Sequence, residues 1–462
     1  MLDASRTANF WNRFWGSIDR RLGVRGVLVI AAFLRLASIP VVRSYLHPET
    51  WEFGPLAQAI RAGLGYSEVL PNGLRVPSVF MPPAYPYVLA FFYWLGGERP
   101  LTFFIIEVVQ AALCVLLIYV VYRLSLLLLG KISAIAAACI MAIYPAQVYM
   151  CNEFHGISIY IVLGVSAVYF LALYLEESTS WKYVLAAGLC MGGLMLFRSE
   201  SPALVVFYSA VLLARKGWKC FGHVAIFALV ATACLAPWTI RNYLTFGKLI
   251  PTTASGGYAL WVGNNPLATG SQHYDYFKAM PQDVKDAVDR TPLNKEYQVT
   301  MDAALKSIAV RYMFSHPRRE AILAARKLFL FFVFDPAHDK GRNPAYWVPS
   351  VLLTILAIYA IILRPGMLFG KLILPALSIF LAVAVGVVVL VLPRYKIEID
   401  PFIIIIASSV FAAKRFESRT EMREEPQDRA DVVYLAAIHR EPGHAGQAYP
   451  STQATHNAGD IP

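Results

Sequence analysis

The stretch VLVIAAFLRLASIPVVRSYLHPET, residues 27–50, decides the fold, because an apolar run long enough to enter a bilayer is followed closely by an acidic residue. The next long apolar run covers 101–122, so the polar segment between the two runs is predicted to lie at the membrane surface. A carboxylate near hydrocarbon is costly unless it faces water, a partner or a substrate. Glu49 is therefore the best single indication of function.

The composition is typical of one integral membrane unit. Of the 462 residues, 57% are apolar and only 15% are charged. The net charge of +11 comes from basic residues that lie between apolar runs rather than in one stripe, which favours loop bias over nucleic-acid binding. We expect membrane lipids around the chain and no nucleic-acid partner. The six cysteines show no CxxC spacing and are interpreted as packing residues.

Apolar windows that could cross a bilayer predict about ten transmembrane helices, with a range of eight to twelve. They lie near 26–44, 101–123, 132–150, 156–175, 183–197, 201–214, 221–238, 346–363, 371–392 and 401–413. With this count the basic loop residues collect on one side, which is assigned to the cytoplasm together with both termini. The Glu49 loop, CNEFHG at 151–156, the segment from Arg241 to Tyr346 and PRYKIEID at 393–400 then share the external face. The predicted fold class is an all-α polytopic membrane protein.

The same windows define the domain organisation. The predicted parts are a cytoplasmic N-terminus at 1–25, a transmembrane catalytic core at 26–240 with its first external loop at 43–100, an external segment at 241–345, C-terminal transmembrane helices at 346–413 and a disordered cytoplasmic tail at 414–462. Pro83 to Leu95 is too short for a span and is predicted to be a helix at the outer interface. The external segment should form a small cap with an amphipathic helix over Asn294 to Arg311 and a turn at HPRR, 316–319.

Two external turns carry acids. Glu49 precedes a short predicted helix, in which Glu52 lies about one turn further on, and Asn152, Glu153 and His155 form the next external turn. A carboxylate in an external cavity can act as a general base without a metal. Two alternatives stay open: Glu49 caps its helix, and Glu153 is a solvated loop acid. A divalent metal is possible but not indicated, because no second histidine stands at ligand spacing, and no other cofactor is expected.

Arginines at the outer membrane boundary supply the complementary charge. Arg198, Arg241 and Arg394 each lie near the outer end of an apolar run, whereas Arg35 lies inside the first span. A guanidinium can hold a phosphate through paired hydrogen bonds, and the ligand that combines phosphate with membrane depth is a lipid phosphate. The alternative for each arginine is snorkelling or a structural ion pair.

Several motifs, in this order, resemble one known family. They are HPETWEFGPLAQAIRAGLGY at 47–66, PPAYPYVLAFFYWLGG at 82–97, APWTIRNYLTFGKLI at 236–250, GGYALWVGNNP at 256–266 and PRYKIEIDP at 393–401. From about residue 25 to 413 the chain resembles the dolichyl-phosphate-mannose protein mannosyltransferase-like superfamily (family 39-like) of bacterial integral membrane glycosyltransferases, which includes enzymes that modify lipopolysaccharide and lipid A.

This resemblance implies a C-type glycosyltransferase fold in the bacterial inner membrane, a polyprenyl-phosphate sugar donor and inverting transfer at the external, periplasmic face to a lipid, glycan or protein acceptor. It implies that Glu49 is the catalytic base in a place usually held by Asp, with Glu52 and Glu153 as further catalytic candidates. Met81 stands where relatives often carry Lys or Arg. The donor phosphate is then expected at Arg198, Arg241, Arg394 and Arg75, and the cleft lining at Tyr85, Asn152, His155, Asn264, Asn265 and Tyr395.

The resulting hypothesis is a hexosyl- or pentosyltransferase in which Glu49 deprotonates the acceptor and arginines stabilise the departing phosphate. A transporter or flippase of an anionic polyprenyl-linked lipid is the main alternative, since it would use the same arginines. It would favour polar residues along the spans and internal symmetry, whereas the polar residues here collect at the outer ends. A non-catalytic scaffold is a third alternative.

Overall fold

Helices form almost all of the regular structure in the computed structural model, which describes residues 4–271, 280–333 and 342–411. Up to the second external segment the helices are α1 (Ala4–Arg21), α2 (Gly23–Val42), α3 (Phe53–Arg61), α4 (Ala84–Gly96), α5 (Pro100–Leu129), α6 (Lys131–Ile143), α7 (Pro145–Tyr149), α8 (Ile157–Glu176), α9 (Trp181–Met195), α10 (Pro202–Lys216) and α11 (Phe221–Phe246). They are followed by α12 (Gly256–Gly263), α13 (Gln282–Asp289), α14 (Tyr297–Ser315), α15 (Pro317–Phe332), α16 (Pro344–Leu363), α17 (Gly366–Phe369), α18 (Ile373–Val388) and α19 (Pro393–Ser408).

The prediction of an all-α polytopic membrane protein is confirmed, but the count of about ten spans is not. Within the described ranges, five helices are long and apolar enough to cross a bilayer: Gly23–Val42, Pro100–Leu129, Ile157–Glu176, Trp218–Phe246 and Pro344–Leu363. A bent helix pair brings the number to six. The predicted windows at 183–197 and 371–392 do fall on apolar helices, α9 and α18, but these are shorter than a full span.

The window at 132–150 is not one straight helix, because α6 and α7 meet at an angle of 61°. Pro145 has no backbone N–H and pushes Tyr144 into an extended conformation, with φ −64° and ψ 117°. Fully buried Arg35 compensates for the break. Its guanidinium donates to the carbonyl oxygens of Ala142 at 3.1 Å and Met141 at 3.1 Å, which a continued helix would have paired. Arg35 therefore stabilises the broken span.

The first external loop contains a β-hairpin that the sequence patterns did not predict. Strands β1 (Ser67–Val69) and β2 (Arg75–Pro77) pair antiparallel between α3 and α4. Their turn uses Asn72, whose side-chain oxygen accepts a hydrogen bond from the Leu74 amide at 3.0 Å, and Gly73, at φ 82°. The predicted short helix at 83–95 is present as α4.

Helices α12 to α15 form the described part of the second external segment. A helix, α14, lies where the amphipathic helix was predicted, but its apolar residues are spread around the helix instead of forming one face, and of the turn expected at 316–319 only His316 lies between α14 and α15. Gln298 of α14 joins this segment to the hairpin. Its amide nitrogen donates to the carboxylate of Glu68, and its carbonyl oxygen accepts from the Val79 amide at 2.7 Å. The two external segments therefore form one connected layer.

The segment 393–400, which was assigned to the external face, is the first part of a helix. Helix α19 begins at Pro393, a position where a missing N–H costs nothing. The helix continues through Pro401, which cannot donate to the carbonyl of Ile397 four residues earlier. The buried Gln147 amide donates to that carbonyl at 2.9 Å, so the lost helical bond is replaced by a side chain. The predicted disordered tail, 414–462, lies outside the described residues.

Candidate active site

One large cavity opens where the first external loop meets the outer ends of the bundle. Its volume is about 670 Å³, and its walls come from the end of α2, the residues before α3, the turn at 152–155, the start of α16 and the start of α19. Its charged and polar lining includes Glu49, Glu153, His155, Asn152, Arg43 and Arg394. Four residues predicted from the two acidic turns thus line the same cavity as one of the predicted arginines.

Glu49 lies in a strained part of the chain. Arg43 and Trp51, on either side of it, are the two non-glycine residues with a left-handed backbone in the described ranges, at φ 61° and 48°. For residues with a β-carbon this conformation costs about 1–3 kcal/mol and is concentrated at functional sites. The Glu49 carboxylate is exposed to the cavity, and no described residue forms a hydrogen bond or ion pair with it. It is available to a substrate.

Glu49 does not cap α3, which rules out one of the two alternatives for its role. The helix begins at Phe53, so that Glu52 occupies the N-cap position, where it makes no capping hydrogen bond. The carbonyl of Thr50 accepts the first amide bonds, from Phe53 at 3.1 Å and Gly54 at 3.2 Å. The position of Glu49 is therefore set by the strained loop.

The turn at 152–155 is held rigidly against the bundle. The buried Asn152 amide nitrogen donates to the Ser38 hydroxyl at 2.9 Å and to the Tyr149 carbonyl at 3.2 Å, which leaves its side-chain oxygen without a hydrogen-bond partner. The His155 ring packs near the Trp51 ring, with centroids 6.0 Å apart. An unsatisfied buried acceptor costs free energy, so Asn152 is suited to receive a hydrogen bond from a bound hydroxyl.

Two arginines of the cavity form no ion pair with a carboxylate of the described residues. Arg394, in the first turn of α19, stacks over the Tyr395 ring at 5.7 Å, and no described residue forms an ion pair with it. Arg43, at the end of α2, donates only through Nε to the Pro40 carbonyl, at 3.2 Å. Its two terminal nitrogens are free of described partners. Both guanidinium groups can therefore accept an anion.

Arg198 lies outside this cavity, in a neutralised cluster. Its guanidinium forms ion pairs with Glu200 at 2.5 Å and Glu398 at 3.1 Å, and the Tyr160 hydroxyl donates to Glu398 at 2.6 Å. These groups line a separate cavity of about 80 Å³. The Tyr395 ring lies 5.1 Å from the guanidinium carbon of Arg198, so Tyr395 contacts the arginines of both cavities.

Arg241 and Arg75 are engaged in the first external loop. Arg241 donates to the carbonyl oxygens of Ser78 at 2.8 Å and Tyr66 at 3.0 Å, which anchors the hairpin to α11. Arg75, on β2, is exposed and donates to the Ser67 hydroxyl at 3.3 Å. Neither arginine lines the large cavity. Their predicted contact with a donor phosphate therefore stays a prediction.

The remaining predicted residues fall outside the large cavity. Burial, followed by the negative charge of Glu52, raises the pKa of Tyr258 on α12 to about 12, and Glu52 does not line the large cavity. Tyr85 is buried and packs edge-on against Phe53, with ring centroids 5.3 Å apart. The other predicted lining residues, Asn264 and Asn265, are buried in the turn after α12.

Lys327 of α15 explains why the GNNP turn is ordered. Its buried ammonium group donates to the Asn264 side-chain oxygen at 2.7 Å and to the Val389 carbonyl at 2.9 Å. Burial lowers the pKa of Lys327 to about 8, although the charge of Glu320 opposes this shift. Asn265 donates to the Trp261 carbonyl at 2.9 Å. These contacts connect the second external segment to the end of α18.

Sequence reasoning missed Arg43, Trp51, Tyr149 and Tyr346, all of which line the cavity. Arg43 did carry a signal, because it is a basic residue at the outer end of the first span and so departs from the charge bias. The others look like ordinary interfacial aromatics in the sequence. Glu107 was also missed, although it is an acid within the apolar run of α5 and is fully buried. Within 4–271, 280–333 and 342–411, no three His, Cys, Asp or Glu side chains are grouped to hold a metal ion.

Comparison with known proteins finds one family whose model matches part of the chain. Residues 81–240, about a third of the chain, match the model of the dolichyl-phosphate-mannose-protein mannosyltransferase family. Among solved structures, ArnT from Cupriavidus metallidurans bound to undecaprenyl phosphate is similar with a TM-score of 0.38 and 13% identity, over 82% of this chain and 77% of that one. The oligosaccharyltransferase AglB from Archaeoglobus fulgidus, in complex with an inhibitory peptide and a dolichol-phosphate, gives 0.48 and 13%, over 91% and 54%.

The chain therefore spans about half the length of the archaeal enzyme. No curated protein matches it in sequence. The family match covers about a third of the chain and supports the resemblance expected from the motifs: the chain is a helical membrane protein similar to the dolichyl-phosphate-mannose protein mannosyltransferases.

Proposed function

We propose that the protein transfers a sugar from a polyprenyl-phosphate donor to a hydroxyl or amine of a lipid, glycan or protein acceptor, with inversion at the anomeric carbon. The observation that carries this proposal is the large cavity, which combines the carboxylate of Glu49 with two guanidinium groups, Arg43 and Arg394, none of which forms an ion pair with a described residue. The family description names a polyprenyl-phosphate sugar, dolichyl-phosphate-mannose, as donor.

The phosphate of the donor would bind between Arg43 and Arg394. A guanidinium with free terminal nitrogens matches a phosphate through two parallel hydrogen bonds. Arg43 follows directly on the membrane helix α2, and Arg394 begins α19, so both lie where a lipid chain could remain in the hydrocarbon. Negative charge grows on the phosphate as the sugar departs, and fixed positive groups stabilise that charge most when no other anion competes for them.

Glu49 would act as the general base. It takes the proton of the acceptor hydroxyl or amine, the acceptor atom bonds to the anomeric carbon, and the bond between that carbon and the phosphate oxygen breaks, releasing polyprenyl phosphate. A single displacement of this kind inverts the configuration. The side-chain oxygen of Asn152 and the ring of His155 are the neighbouring groups that could orient a sugar or acceptor hydroxyl.

The proposed location of this reaction is the external face of the bacterial inner membrane. The charge bias of the loops supports it, since the loop with Glu49 and the turn at 152–155 fall on the side opposite the basic loops. Both termini are then cytoplasmic.

The proposal is tested with the full chain reconstituted in lipid vesicles together with radiolabelled polyprenyl-phosphate sugars and candidate acceptors. We expect the wild type to move label from donor to acceptor, and Glu49→Gln to lose transfer while still binding the donor. Glu98→Gln is the matched control, because Glu98 is an exposed acid of the same loop outside the cavity.

Two outcomes would contradict the proposal. If the labelled sugar stays on the polyprenyl phosphate and only moves to the other leaflet of the bilayer, the flippase alternative is favoured. Transfer by Glu49→Gln at the rate of Glu98→Gln would remove Glu49 from the role of base.

A further inference from the structure

A second polar cavity lies at the opposite end of the bundle from the candidate active site. It has a volume of about 180 Å³ and is lined by the ends of α8 and α10 and the start of α18, including Glu176, Arg215, Lys216 and Lys371. Helix α8 separates the two sites. It begins directly after the turn at 152–155 and ends at Glu176, and its 20 residues span about 30 Å. The second cavity therefore belongs to the other membrane surface.

The charge of this cavity is only partly balanced. Three basic side chains line it and one acid, Glu176, accompanies them. Glu176 forms no ion pair with a described residue. Arg215 donates through one terminal nitrogen, Nη2, to the carbonyl oxygens of Phe369 and Gly370. Lys216 donates to the Leu175 carbonyl at 2.8 Å. The two side chains are thus held in place by neutral acceptors and keep their charge.

Donors remain on both side chains. Arg215 has Nε and Nη1 without described partners, which leaves three N–H groups, and Lys216 has used one of its three. Held in place by their carbonyl contacts, the two cations need little further ordering to bind an anion. The chemistry fits a phosphate group, since Arg offers a planar pair of donors and Lys a point charge.

The surroundings indicate a phosphate that is attached to acyl chains. The same cavity is lined by Leu128, Ala172 and Leu175, which belong to the apolar helices α5 and α8. Large aromatic residues next to the cationic segment are strongly exposed, with Trp218 at 79% and Phe369 at 77%. Such aromatics mark the level of lipid headgroups. Basic pockets between helices at this level bind anionic headgroups.

We propose that the cavity lined by Arg215 and Lys216 binds the headgroup phosphate of an anionic phospholipid, at a site separate from the candidate active site. By the charge bias of the loops, this surface faces the cytoplasm. The lipid would join α8, α10 and α18, which meet at this cavity, and so stabilise the bundle at the end opposite the sugar-transfer cavity.

The experiment uses the purified full chain in detergent and measures lipid binding by native mass spectrometry, with phosphatidylglycerol as the probe and phosphatidylcholine as the neutral comparison. The test variant is Arg215→Gln with Lys216→Gln. The matched control, Lys182→Gln with Lys219→Gln, removes the same charge from the same predicted face at two exposed residues outside the cavity. We expect phosphatidylglycerol to bind the test variant about 30-fold more weakly, since each cation near a lipid surface contributes about tenfold or somewhat less, and the control to bind as the wild type does.

Thermal unfolding with and without phosphatidylglycerol separates binding from folding. The midpoint of the wild type and of the control should rise with this lipid, whereas that of the test variant should not respond, whatever its value without lipid. Equal binding by the test variant and the control would overturn the proposal. Displacement of the lipid by millimolar inorganic phosphate would also overturn it, because the site would then take free phosphate rather than a phospholipid.

Discussion

Arg394 and Arg198 both lie near the Tyr395 ring, at 5.7 and 5.1 Å from its centroid, yet they differ in their ion pairs. Arg198 is bound by two carboxylates, whereas Arg394 is paired with none in the described residues and opens into the large cavity. A guanidinium that already has two anions offers little to a third. The comparison teaches that the compensation of a cation, rather than its presence at a membrane boundary, separates a structural arginine from one that can bind a ligand.

The largest expected effect separates the two acids of the first external loop. Glu49→Gln should lower sugar transfer by about 100- to 10,000-fold, the range for loss of a general base. Glu52→Gln should lower it less than about twofold, because Glu52 does not line the cavity. The rate of label transfer under saturating donor measures both. Similar losses in the two variants would mean that the loop closes differently during catalysis and would break the distinction drawn from the cavity.

The next largest effect is expected at Arg394, which forms no ion pair with a described residue. Arg394→Ala should lower the turnover number by about 100- to 1,000-fold, as expected for removal of a group that stabilises developing charge. Arg394→Lys should recover part of this loss, since it keeps the charge but not the planar pair of donors. Steady-state kinetics with varied donor concentration gives the turnover number and KM. A change in KM alone would show that Arg394 binds the donor without acting on the transition state.

Replacement of Arg198 should mainly lower the stability of the fold. Arg198→Ala leaves the carboxylates of Glu200 and Glu398 facing each other in a partly buried site, and should lower the free energy of unfolding by about 1–3 kcal/mol. Adding Glu398→Gln to Arg198→Ala should recover part of that loss. Thermal or denaturant unfolding in detergent measures it. A stable Arg198→Ala protein with abolished transfer would instead assign Arg198 to the donor site.

The smallest expected effect is a dependence of the unfolding free energy on pH, which is caused by the buried Lys327. Its pKa is lowered to about 8, so the unfolded chain binds more protons than the folded chain between about pH 8 and the usual lysine range. The free-energy cost of burying the charged Lys327 ammonium group is fully present below pH 8. It falls as the pH rises above 8 and the group loses its proton. We expect the unfolding free energy of the wild type to gain about 1 kcal/mol relative to Lys327→Met between pH 8 and 9. A parallel pH profile for the two proteins would mean that Lys327 is not held as a buried cation.

Much of the fold could be predicted from hydropathy alone. The apolar windows fall on helices, and a helix, α14, lies close to its predicted place, although it is not amphipathic. The predictions that failed concern places where a side chain from elsewhere in the chain replaces a lost backbone hydrogen bond. Pro145 and Pro401 look alike in sequence, but α6 and α7 diverge at Pro145, with Arg35 pairing the freed carbonyls, whereas Gln147 lets α19 continue through Pro401. The hairpin at 67–77 is too short to show a period.

The site divides in the same way. Glu49, Asn152, Glu153 and His155 could be found in the sequence, because polar residues directly after apolar runs collect at one membrane surface. Arg43 was missed, since only the structure shows its left-handed backbone and its place on the cavity wall. The sequence could not show which arginine is able to bind a phosphate, because each of them stands beside an apolar run.

The sequence by itself determined that this is a helical membrane protein, that Glu49 and Glu153 lie on the same side of the bundle and that its motifs resemble membrane glycosyltransferases. These properties follow from local quantities: the length of an apolar run, the position of a charge beside it and the order of short motifs. Only the tertiary structure decided which cations are neutralised. Glu398 lies 200 residues from Arg198 along the chain and pairs with it at 3.1 Å, and a charge is compensated by what is near in space.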